Sequence, residues 1–369
     1  MDTDLKARAK AHAAQDPFPM KGFSHVEWWV GNAFQTAMFL RTMLGFSIVG
    51  YRGPETGVRE TSSYLLESGN IRFMVTGAQG PEHPVADHVH LHGQGVHDVA
   101  FLVPNAEEAF ELSLERGAEV AYKPTVTESD HGAMVAAGIK TYGDTIHSMV
   151  ELEGFYPDFE PREDLIARSA GLHTIDHVVA NVEDMNKWVE FYERVFHFTM
   201  LRHFDDEAIS TEYTALMSKV MWDGEGIIKL PINEPAEARK RSQIEEYLMF
   251  YRSAGVQHIA MATADLQGTM EDVHARGLET IYVPDEYYPE AMERVPDLDA
   301  DWDRIIANRI LVDADEGGQL LQIFTKMLQD RPTVFFEFIE RRGATGFGLG
   351  NFKALFESIE REQAARGNL

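Results

Sequence analysis

The chain contains two copies of one segment, and this internal repeat constrains its fold more than any other feature. The segment GVHDVAFLVPNAEEAFELSLERGAEVAYKP at residues 95–124 aligns without a gap with GVQHIAMATADLQGTMEDVHARGLETIYVP at residues 255–284. In each copy the pattern predicts a strand, then a helix that ends at a glycine, then a second strand. Such a repeat predicts a duplicated scaffold.

A second pair of similar segments precedes the first pair. Residues 25–51, HVEWWVGNAFQTAMFLRTMLGFSIVGY, resemble residues 174–202, TIDHVVANVEDMNKWVEFYERVFHFTMLR. A weaker third pair matches residues 144–152 with residues 332–340. Each half therefore contains two strand–helix–strand modules and a terminal strand. Duplicated modules of this kind predict a sheet that curls around a cavity, with strands of both modules lining it.

The length of 369 residues fits two domains. Residues 153–171, EGFYPDFEPREDLIARSAG, contain two prolines and several charges without periodicity, which predicts a linker. We expect an N-terminal structural and oligomerisation domain at residues 1–156 and a C-terminal catalytic, metal-binding domain at residues 157–369.

Composition excludes several classes of function. The chain has no cysteine, so disulfides, thiol catalysis and iron–sulfur clusters are excluded, and any metal must be held by His, Asp or Glu. A formal net charge of −27 disfavours nucleic acid and anionic membranes as partners. The first 25 residues lack the apolar core of a signal peptide, which predicts a cytoplasmic protein.

Three strands of the C-terminal half carry candidate metal ligands where the aligned N-terminal strands have no matching set. The aligned pairs are His177 with Trp28, His258 with Asp98, and Glu337 with Met149. Glu337 interrupts VFFEFI, an apolar run that predicts a strand buried on both faces. An ionised carboxylate there is costly unless a cation meets it.

Two histidines and one carboxylate are the ligand set of the facial triad in non-haem iron(II) enzymes. A lone histidine on a strand is more often a hydrogen-bonded core residue, so the prediction depends on all three residues together. Neutral imidazoles with a single carboxylate leave a net positive site, which suits an anionic chelating substrate. The sequence therefore predicts a metal site in the C-terminal half only.

A second histidine-rich segment, DHVHLH, places His88, His90 and His92 at alternate residues. No acidic residue shares this alternate spacing, and the segment adjoins the loop-like stretch PEHPVAD. We expect a solvated loop there, with at most weak adventitious metal binding.

The segment after the Glu337 strand combines a loop and a helix. Four glycines between residues 343 and 350 predict a flexible loop rather than a phosphate-binding one. Apolar residues at helical spacing follow: Phe352, Leu355, Phe356 and Ile359. That helix would either pack on the core or form a lid hinged on the glycines.

Several motifs closely resemble the 4-hydroxyphenylpyruvate dioxygenases, over nearly the whole chain and most densely from Gly171 onward. These motifs are IDHVV, LPINEP, RKRSQIEEYL, GVQHIA, LLQIFTK, DRPTVFFEFIERRG and GFGLGNFKALFESIEREQ. The repeat is similar to the βαβββ modules of the wider vicinal oxygen chelate proteins. The resemblance implies an α+β fold: two domains, each with two βαβββ modules forming a curled open-barrel sheet with helices outside, plus a C-terminal helix over the active site.

The resemblance also implies a reaction. Iron(II) would be bound by His177, His258 and Glu337, and the substrates would be 4-hydroxyphenylpyruvate and O2. Oxidative decarboxylation, ring hydroxylation and side-chain migration would give homogentisate and CO2 in tyrosine and phenylalanine catabolism. The family further implies a homo-oligomer, either a dimer or a tetramer.

Further residues match family positions around the substrate. Amide and hydroxyl side chains would hydrogen-bond the substrate, and phenylalanines would form the wall around its ring. The resemblance assigns substrate contacts to Ser218, Asn233, Gln243, Gln257, Gln322, Phe324, Phe335, Phe347 and Phe352. Among these, Gln243 and Asn233 would be catalytic.

Three alternatives remain open at this point. A 4-hydroxymandelate synthase would share the fold, metal and substrate but hydroxylate the benzylic carbon. A non-catalytic relative would sequester an aromatic ligand, although sequestration needs no open metal site. A zinc or manganese isomerase of the glyoxalase kind would usually employ more carboxylates.

Overall fold

Two curled sheets, one from each half of the chain, form the fold. A computed structural model describes residues 7, 10–11, 14–204, 216–236 and 239–368. The strands of the first sheet are β1 (Gly22–Trp29), β2 (Ser47–Arg52), β3 (Thr61–Ser68), β4 (Ile71–Ala78), β5 (Gly95–Leu102), β6 (Val120–Ser129), β7 (Gly132–Lys140), β8 (Ile146–Gly154) and β9 (Glu160–Leu165). Those of the second sheet are β10 (Leu172–Asn181), β11 (Thr199–Phe204), β12 (Leu216–Trp222), β13 (Lys229–Pro235), β14 (Gly255–Thr263), β15 (Leu311–Asp315), β16 (Gly318–Phe324) and β17 (Phe335–Arg342).

The helices lie between and after these strands. They are α1 (Ala33–Leu44), α2 (Pro84–His92), α3 (Ala106–Glu115), α4 (Met185–Phe196), α5 (Gln243–Tyr251), α6 (Leu266–Ala275), α7 (Tyr287–Arg294), α8 (Trp302–Ala307) and α9 (Phe352–Ala365). The helices of the four repeated modules are α1, α3, α4 and α6, and each follows a polar residue whose side chain accepts a hydrogen bond from a backbone N–H of the first turn. These N-caps are Asn32, Asn105, Asp184 and Asp265. The polar turn that recurs in the repeat is therefore a helix-start signal.

The strand orders confirm the duplication. The first sheet has the order β6–β7–β8–β5–β1–β4–β3–β2–β9, and the second has β11–β12–β13–β10–β14–β17–β16–β15. Reversed, and without β9, the first order matches the second strand for strand. In both sheets the two central strands are antiparallel, and each pairs in parallel with its other neighbour. The predicted pair of curled open-barrel sheets with outer helices is confirmed.

The second copy of the repeat departs from one expectation. The strand expected at the end of residues 255–284 is reduced to one bridge between Thr280 and Thr325, and α7 and α8 follow before β15. The first sheet also includes β9, which follows residue 156 and pairs with β2. Strand β9 is a polar edge strand with mostly exposed side chains, so it has no apolar periodicity to reveal it.

The histidine-rich segment is a helix rather than a solvated loop. His83 caps the start of α2 and Pro84 occupies its first turn, where proline is favoured. On a helix, residues four apart share a face, so His88 and His92 are both buried. His90 points to solvent instead.

The two halves share one apolar core, which explains why the strand around Glu337 is apolar on both sides. Phe336 packs edge-on against Trp28 and stacks on Phe73, with ring centroids 5.6 and 5.9 Å apart. Successive side chains of a strand face opposite ways, so Glu337 points into the concavity of the second sheet. Among the described helices, none is long and apolar enough to cross a membrane.

Candidate metal centre and substrate cavity

Three adjacent strands bring the candidate ligands together. His177 on β10 lies opposite Ala260 on β14, and Ala260 lies opposite Glu337 on β17. His258 is two residues before Ala260, so it shares the same face of the sheet. The small side chain of Ala260 leaves space in the middle of this row, and the three longer side chains converge above it.

The distances show that these side chains meet. The Nε2 atoms of His177 and His258 lie 3.1 and 3.4 Å from the same oxygen, Oε2 of Glu337. One ligand atom from each residue lies within 4.8 Å of the others. His177 and Glu337 are buried, and the side chain of His258 is 11% exposed. The arrangement can hold one ion in common.

Hydrogen bonds at the Nδ1 atoms fix the tautomer and the orientation of each imidazole. Nδ1 of His177 donates to Asp176 at 2.7 Å, and Nδ1 of His258 donates to Oε1 of Gln257 at 3.0 Å. With the proton on Nδ1, each Nε2 offers a lone pair towards the carboxylate. Two lone pairs and a carboxylate converging in a buried space fit a divalent cation.

Asp176 reaches His177 because of an irregularity in β10. The pairing of β10 with β14 shifts register between Ile175 and His177, so Asp176 is an extra residue on its strand. A bulge of this kind redirects a side chain that strict alternation would place on the far face. Sequence reasoning missed Asp176, because no local signal marks the bulge.

Asp176 is itself held by two cations. Arg341 donates two hydrogen bonds to it, at 2.7 and 2.9 Å, and Lys229 lies 3.1 Å away. Burial opposes ionisation of Asp176, but its bonds to His177 and Arg341 outweigh burial and hold its pKa well below the usual range. Arg341 also donates to the Gly346 carbonyl, which ties this network to the glycine loop. The sequence analysis missed Arg341 and Lys229 as well.

The carboxyl of Glu337 is kept ionised. Burial alone would raise its pKa, but positive charge on the adjacent imidazoles, His177 foremost, outweighs burial and lowers the pKa to about 2, and a divalent cation would supply that positive charge when the rings are neutral ligands. A carboxyl that stays charged in an enclosed space is a strong ligand for a metal ion.

A cavity opens over the ligand row, and all nine residues expected to contact substrate line it. They are Ser218, Asn233, Gln243, Gln257, Gln322, Phe324, Phe335, Phe347 and Phe352. Further lining residues, which the sequence analysis did not assign to the substrate, are Val179, Leu216, Val220, Pro231, Leu355, Phe356 and Ile359. Apolar walls with a few polar side chains are typical of small-molecule sites.

Aromatic rings enclose the metal ligands. Phe335 stacks on His258 with centroids 4.8 Å apart, and Phe347 meets His177 edge-on at 5.1 Å. The C-terminal helix α9 closes the cavity from above with its apolar face, which begins at Phe352. Its C-terminal end is fastened to α5, since Arg366 pairs with Glu246 at 2.8 Å. The predicted helix over the site is confirmed.

Two amide oxygens in the cavity lack a hydrogen-bond partner within the described part of the chain. Oε1 of Gln243 and Oε1 of Gln322 are buried and unpaired among the residues that the structure describes. Buried polar atoms are normally hydrogen-bonded, so an unpaired atom in a cavity wall indicates a place for a ligand atom. By contrast, Asn233 already donates to Oδ1 of Asn181 at 3.2 Å, which directs its own carbonyl oxygen elsewhere.

The hydrogen-bond register corrects part of the alignment of the two halves. His25 lies opposite Ala100 as His177 lies opposite Ala260, so His25 is the counterpart of His177, and Trp28 is not. In β8 the sequence alignment is also wrong, by one residue. Asp98 pairs with Ile146 as His258 pairs with Phe335, which places Ser148, rather than Met149, opposite the position of Glu337. The match of His258 with Asp98 is correct.

Comparison with known families gives one match over most of the chain. Residues 22–152 and 174–323 match the Glyoxalase/Bleomycin resistance protein/Dioxygenase superfamily. The two matched stretches correspond to the two halves of the structural repeat.

Similar proteins from three distant organisms are named 4-hydroxyphenylpyruvate dioxygenase. That of Pyricularia oryzae is 44% identical, with 97% of this chain and 94% of that protein covered. That of Danio rerio is 42% identical, with 94% and 92% covered. That of Dictyostelium discoideum is 40% identical, with 95% and 100% covered.

Solved structures show the same architecture. A triple mutant of 4-hydroxymandelate synthase from Streptomyces coelicolor superposes with a TM-score of 0.86 at 30% identity, covering 94% of this chain and 99% of that one. A Mn(II)-bound glyoxalase from Novosphingobium aromaticivorans, at 11% identity and a TM-score of 0.51, shares the fold alone.

Proposed function

The chain belongs to the 4-hydroxyphenylpyruvate dioxygenase family, and from this premise we propose that it converts 4-hydroxyphenylpyruvate and O2 to homogentisate and CO2. The observation that carries the proposal is the convergence of His177, His258 and Glu337 beneath a cavity that is lined by phenylalanines and a few polar side chains, as an aromatic substrate with polar ends requires. Relatives of that name in fungi, a protist and an animal cover nearly the whole chain.

We propose iron(II) as the ion held by the three ligands. Two neutral imidazoles and one carboxylate suit this metal and leave coordination positions open. Iron(II), when bound, supplies a Lewis acid for the 2-oxo acid group and the electrons that activate O2. The protein contributes the orientation of each ligand, since Asp176 and Gln257 hold the proton on Nδ1 of the two imidazoles.

The polar residues farther along the cavity would hold the phenol end of the substrate. Ser218 and Asn233 lie opposite each other on β12 and β13, and Gln243 begins α5 beside them in the cavity wall. Because Asn233 donates its amide N–H to Asn181, its carbonyl oxygen can accept the phenol proton, and the unpaired Oε1 of Gln243 is a second acceptor for that proton. A substrate held at both ends presents the ring carbon that bears its side chain to the metal.

Exclusion of water is the second contribution of the protein. Helix α9 covers the cavity, while Phe335 and Phe347 shield the imidazoles. A dry, enclosed site protects a reactive centre from side reactions with solvent. The N-terminal half would then have a structural role and take part in oligomerisation, and a cytoplasmic homo-oligomer remains our prediction.

The decisive experiment identifies the product. The iron-loaded protein is incubated aerobically with 4-hydroxyphenylpyruvate and the product is compared with authentic standards by chromatography. Homogentisate is expected, with one O2 consumed and one CO2 released per substrate. Homogentisate and 4-hydroxymandelate are isomers, so retention time and fragmentation, rather than mass, must separate them. A 4-hydroxymandelate product, or tight substrate binding without O2 uptake, would contradict the proposal.

A further inference from the structure

A second cluster of metal-ligating side chains lies in the N-terminal half, away from the cavity. His88 and His92 project from one face of α2, and Asp144 lies on the turn between β7 and β8. Ligand atoms of these residues all lie within 4.8 Å of one another. Oδ2 of Asp144 is 2.6 Å from Nδ1 of His88 and 3.4 Å from Nε2 of His92.

The hydrogen bonding of His92 indicates that a cation is needed between its ring and Asp144. Its Nδ1 makes a short hydrogen bond with the backbone carbonyl oxygen of Tyr251. A carbonyl oxygen only accepts, so the proton of a neutral ring must be on Nδ1. Nε2 of His92 then presents a lone pair to the carboxylate of Asp144. Two acceptors in this arrangement repel each other unless a cation lies between them.

An unpaired atom of the cluster supports the same conclusion. Oδ1 of Asp144 is buried and has no partner among the described residues, although part of the side chain is exposed. The side chain of His88, whose Nδ1 faces Oδ2 of the same carboxylate at 2.6 Å, is only 1% exposed. Buried carboxylates and imidazoles are normally satisfied. The exposed edge of Asp144 offers an ion a route of entry.

We propose that His88, His92 and Asp144 bind a second divalent transition-metal ion, of the zinc class. Histidines four residues apart on a helix present their nitrogens to a common point, and a carboxylate completes a set of three protein ligands that zinc accepts. A water molecule would occupy the fourth position. The site is independent of the catalytic proposal, because it shares no residue with the iron ligands or the cavity.

The location gives this ion a structural role. His92 stacks on Tyr251, the last residue of α5, with ring centroids 4.5 Å apart. The first residue of α5 is Gln243, which lines the substrate cavity. An ion held by the N-terminal half would thereby fix one end of a helix whose other end contacts substrate. Binding to the folded state alone also stabilises that state.

The test measures metal stoichiometry on the full-length protein. After removal of metals with a chelator, Zn(II) is titrated in competition with a chromophoric chelator, and Co(II) is used to record the ligand-field spectrum. The wild-type protein is expected to bind two equivalents. His92→Ala should bind one and keep the spectrum of the catalytic site, while the complementary variant His258→Ala should retain the spectrum of the second site.

His90→Ala is the matched control, since His90 is on the same helix but exposed. It should bind two equivalents. Asp144→Asn serves as a second variant if His92→Ala fails to fold, because Asp144 is on a partly exposed turn, and it should also bind one equivalent. Zn(II) should raise the unfolding temperature of His258→Ala and not that of His258→Ala combined with Asp144→Asn. One equivalent in the wild type, or equal binding by Asp144→Asn and wild type, would overturn the proposal.

Discussion

The two halves of the molecule build the same row of positions and use it in opposite ways. In the C-terminal half the row is His177, Ala260 and Glu337 with His258 beside it; in the N-terminal half it is His25, Ala100 and Ser148 with Asp98 beside it. The backbone pairing is equivalent, so the difference lies in the side chains and what they contact.

In the N-terminal half the polar side chains of the row hydrogen-bond to one another and to Tyr122. The backbone N–H of Ser148 donates to Asp98 at 3.1 Å and its hydroxyl makes a short bond to the same carboxyl, while Tyr122 donates to the Ser148 hydroxyl at 2.7 Å. Burial raises the pKa of Asp98 to about 8, against about 2 for Glu337. One fold therefore moves the pKa of a buried carboxyl in either direction: burial dominates at Asp98, where the Ser148 hydroxyl offsets only part of it, and the imidazoles dominate at Glu337.

The largest expected difference in activity is between two variants at equivalent positions of the row, one that removes the carboxylate of Glu337 and one that removes the hydroxyl of Ser148. Glu337→Gln should lower kcat/KM by at least about 1,000-fold, or about 4 kcal/mol, because a charged metal ligand is lost. Ser148→Ala should leave turnover within about twofold and cost about 1 kcal/mol of unfolding free energy, for its lost hydrogen bonds. Steady-state kinetics and chemical denaturation measure both. Comparable losses of activity would refute the assignment of the centre to one half.

A smaller effect is expected one residue away, at the bulge that both halves share. Ser24 occupies in β1 the extra position that Asp176 occupies in β10. Asp176→Asn should lower iron affinity roughly 10- to 100-fold, because the partner that orients His177 loses its charge. Iron affinity is measured by competition with a chelator, which a purely structural role would not change.

Ser24→Ala is the matched control for Asp176→Asn. Its hydroxyl contacts Tyr156 and His25, none of which lines the catalytic cavity, so iron affinity should remain at the wild-type value. Equal iron affinity in Asp176→Asn and Ser24→Ala would show that the bulge orients no ligand.

The smallest effect concerns stability alone. Because the pKa of Asp98 is raised to about 8 in the folded state, that state keeps a proton that the unfolded chain releases above pH 4. The contribution is therefore favourable in acid and is lost as pH rises towards 8, by at most about 1.4 kcal/mol per pH unit. Asp98→Asn should remove this slope between pH 5 and 8, with activity unchanged. Denaturation series at several pH values measure it, and parallel curves for the two proteins would contradict the shift.

The sequence predicts the centre better than its surroundings, for physical reasons. A carboxylate in an apolar strand is costly wherever it occurs, so Glu337 can be recognised locally, and the repeat places His177 and His258 on neighbouring strands. Asp176 cannot be recognised in this way. A bulge leaves the composition of a strand unchanged and redirects only one side chain.

Register and long-range contacts are the other features beyond the sequence pattern. Each first strand contains a bulge and neither alternates strictly, so their residue pattern does not determine the register, and Trp28 is aligned where His25 belongs. The carboxylate that contacts the histidine pair of α2, that of Asp144, comes from a turn 56 residues farther along the chain than His88. Only the folded topology brings the two together.

The alanine at the middle of each row has a consequence for protein engineering. Ala100 preserves in the N-terminal half the same opening that Ala260 provides beneath the candidate metal ligands, and a histidine is already present at position 25. Grafting a second catalytic-type centre would need new ligands at Asp98 and Ser148 and a smaller residue at Tyr122, whose ring packs on Gly138. The N-terminal half thus already has the backbone arrangement of the candidate metal site, and only side chains would have to be changed to build a second site there.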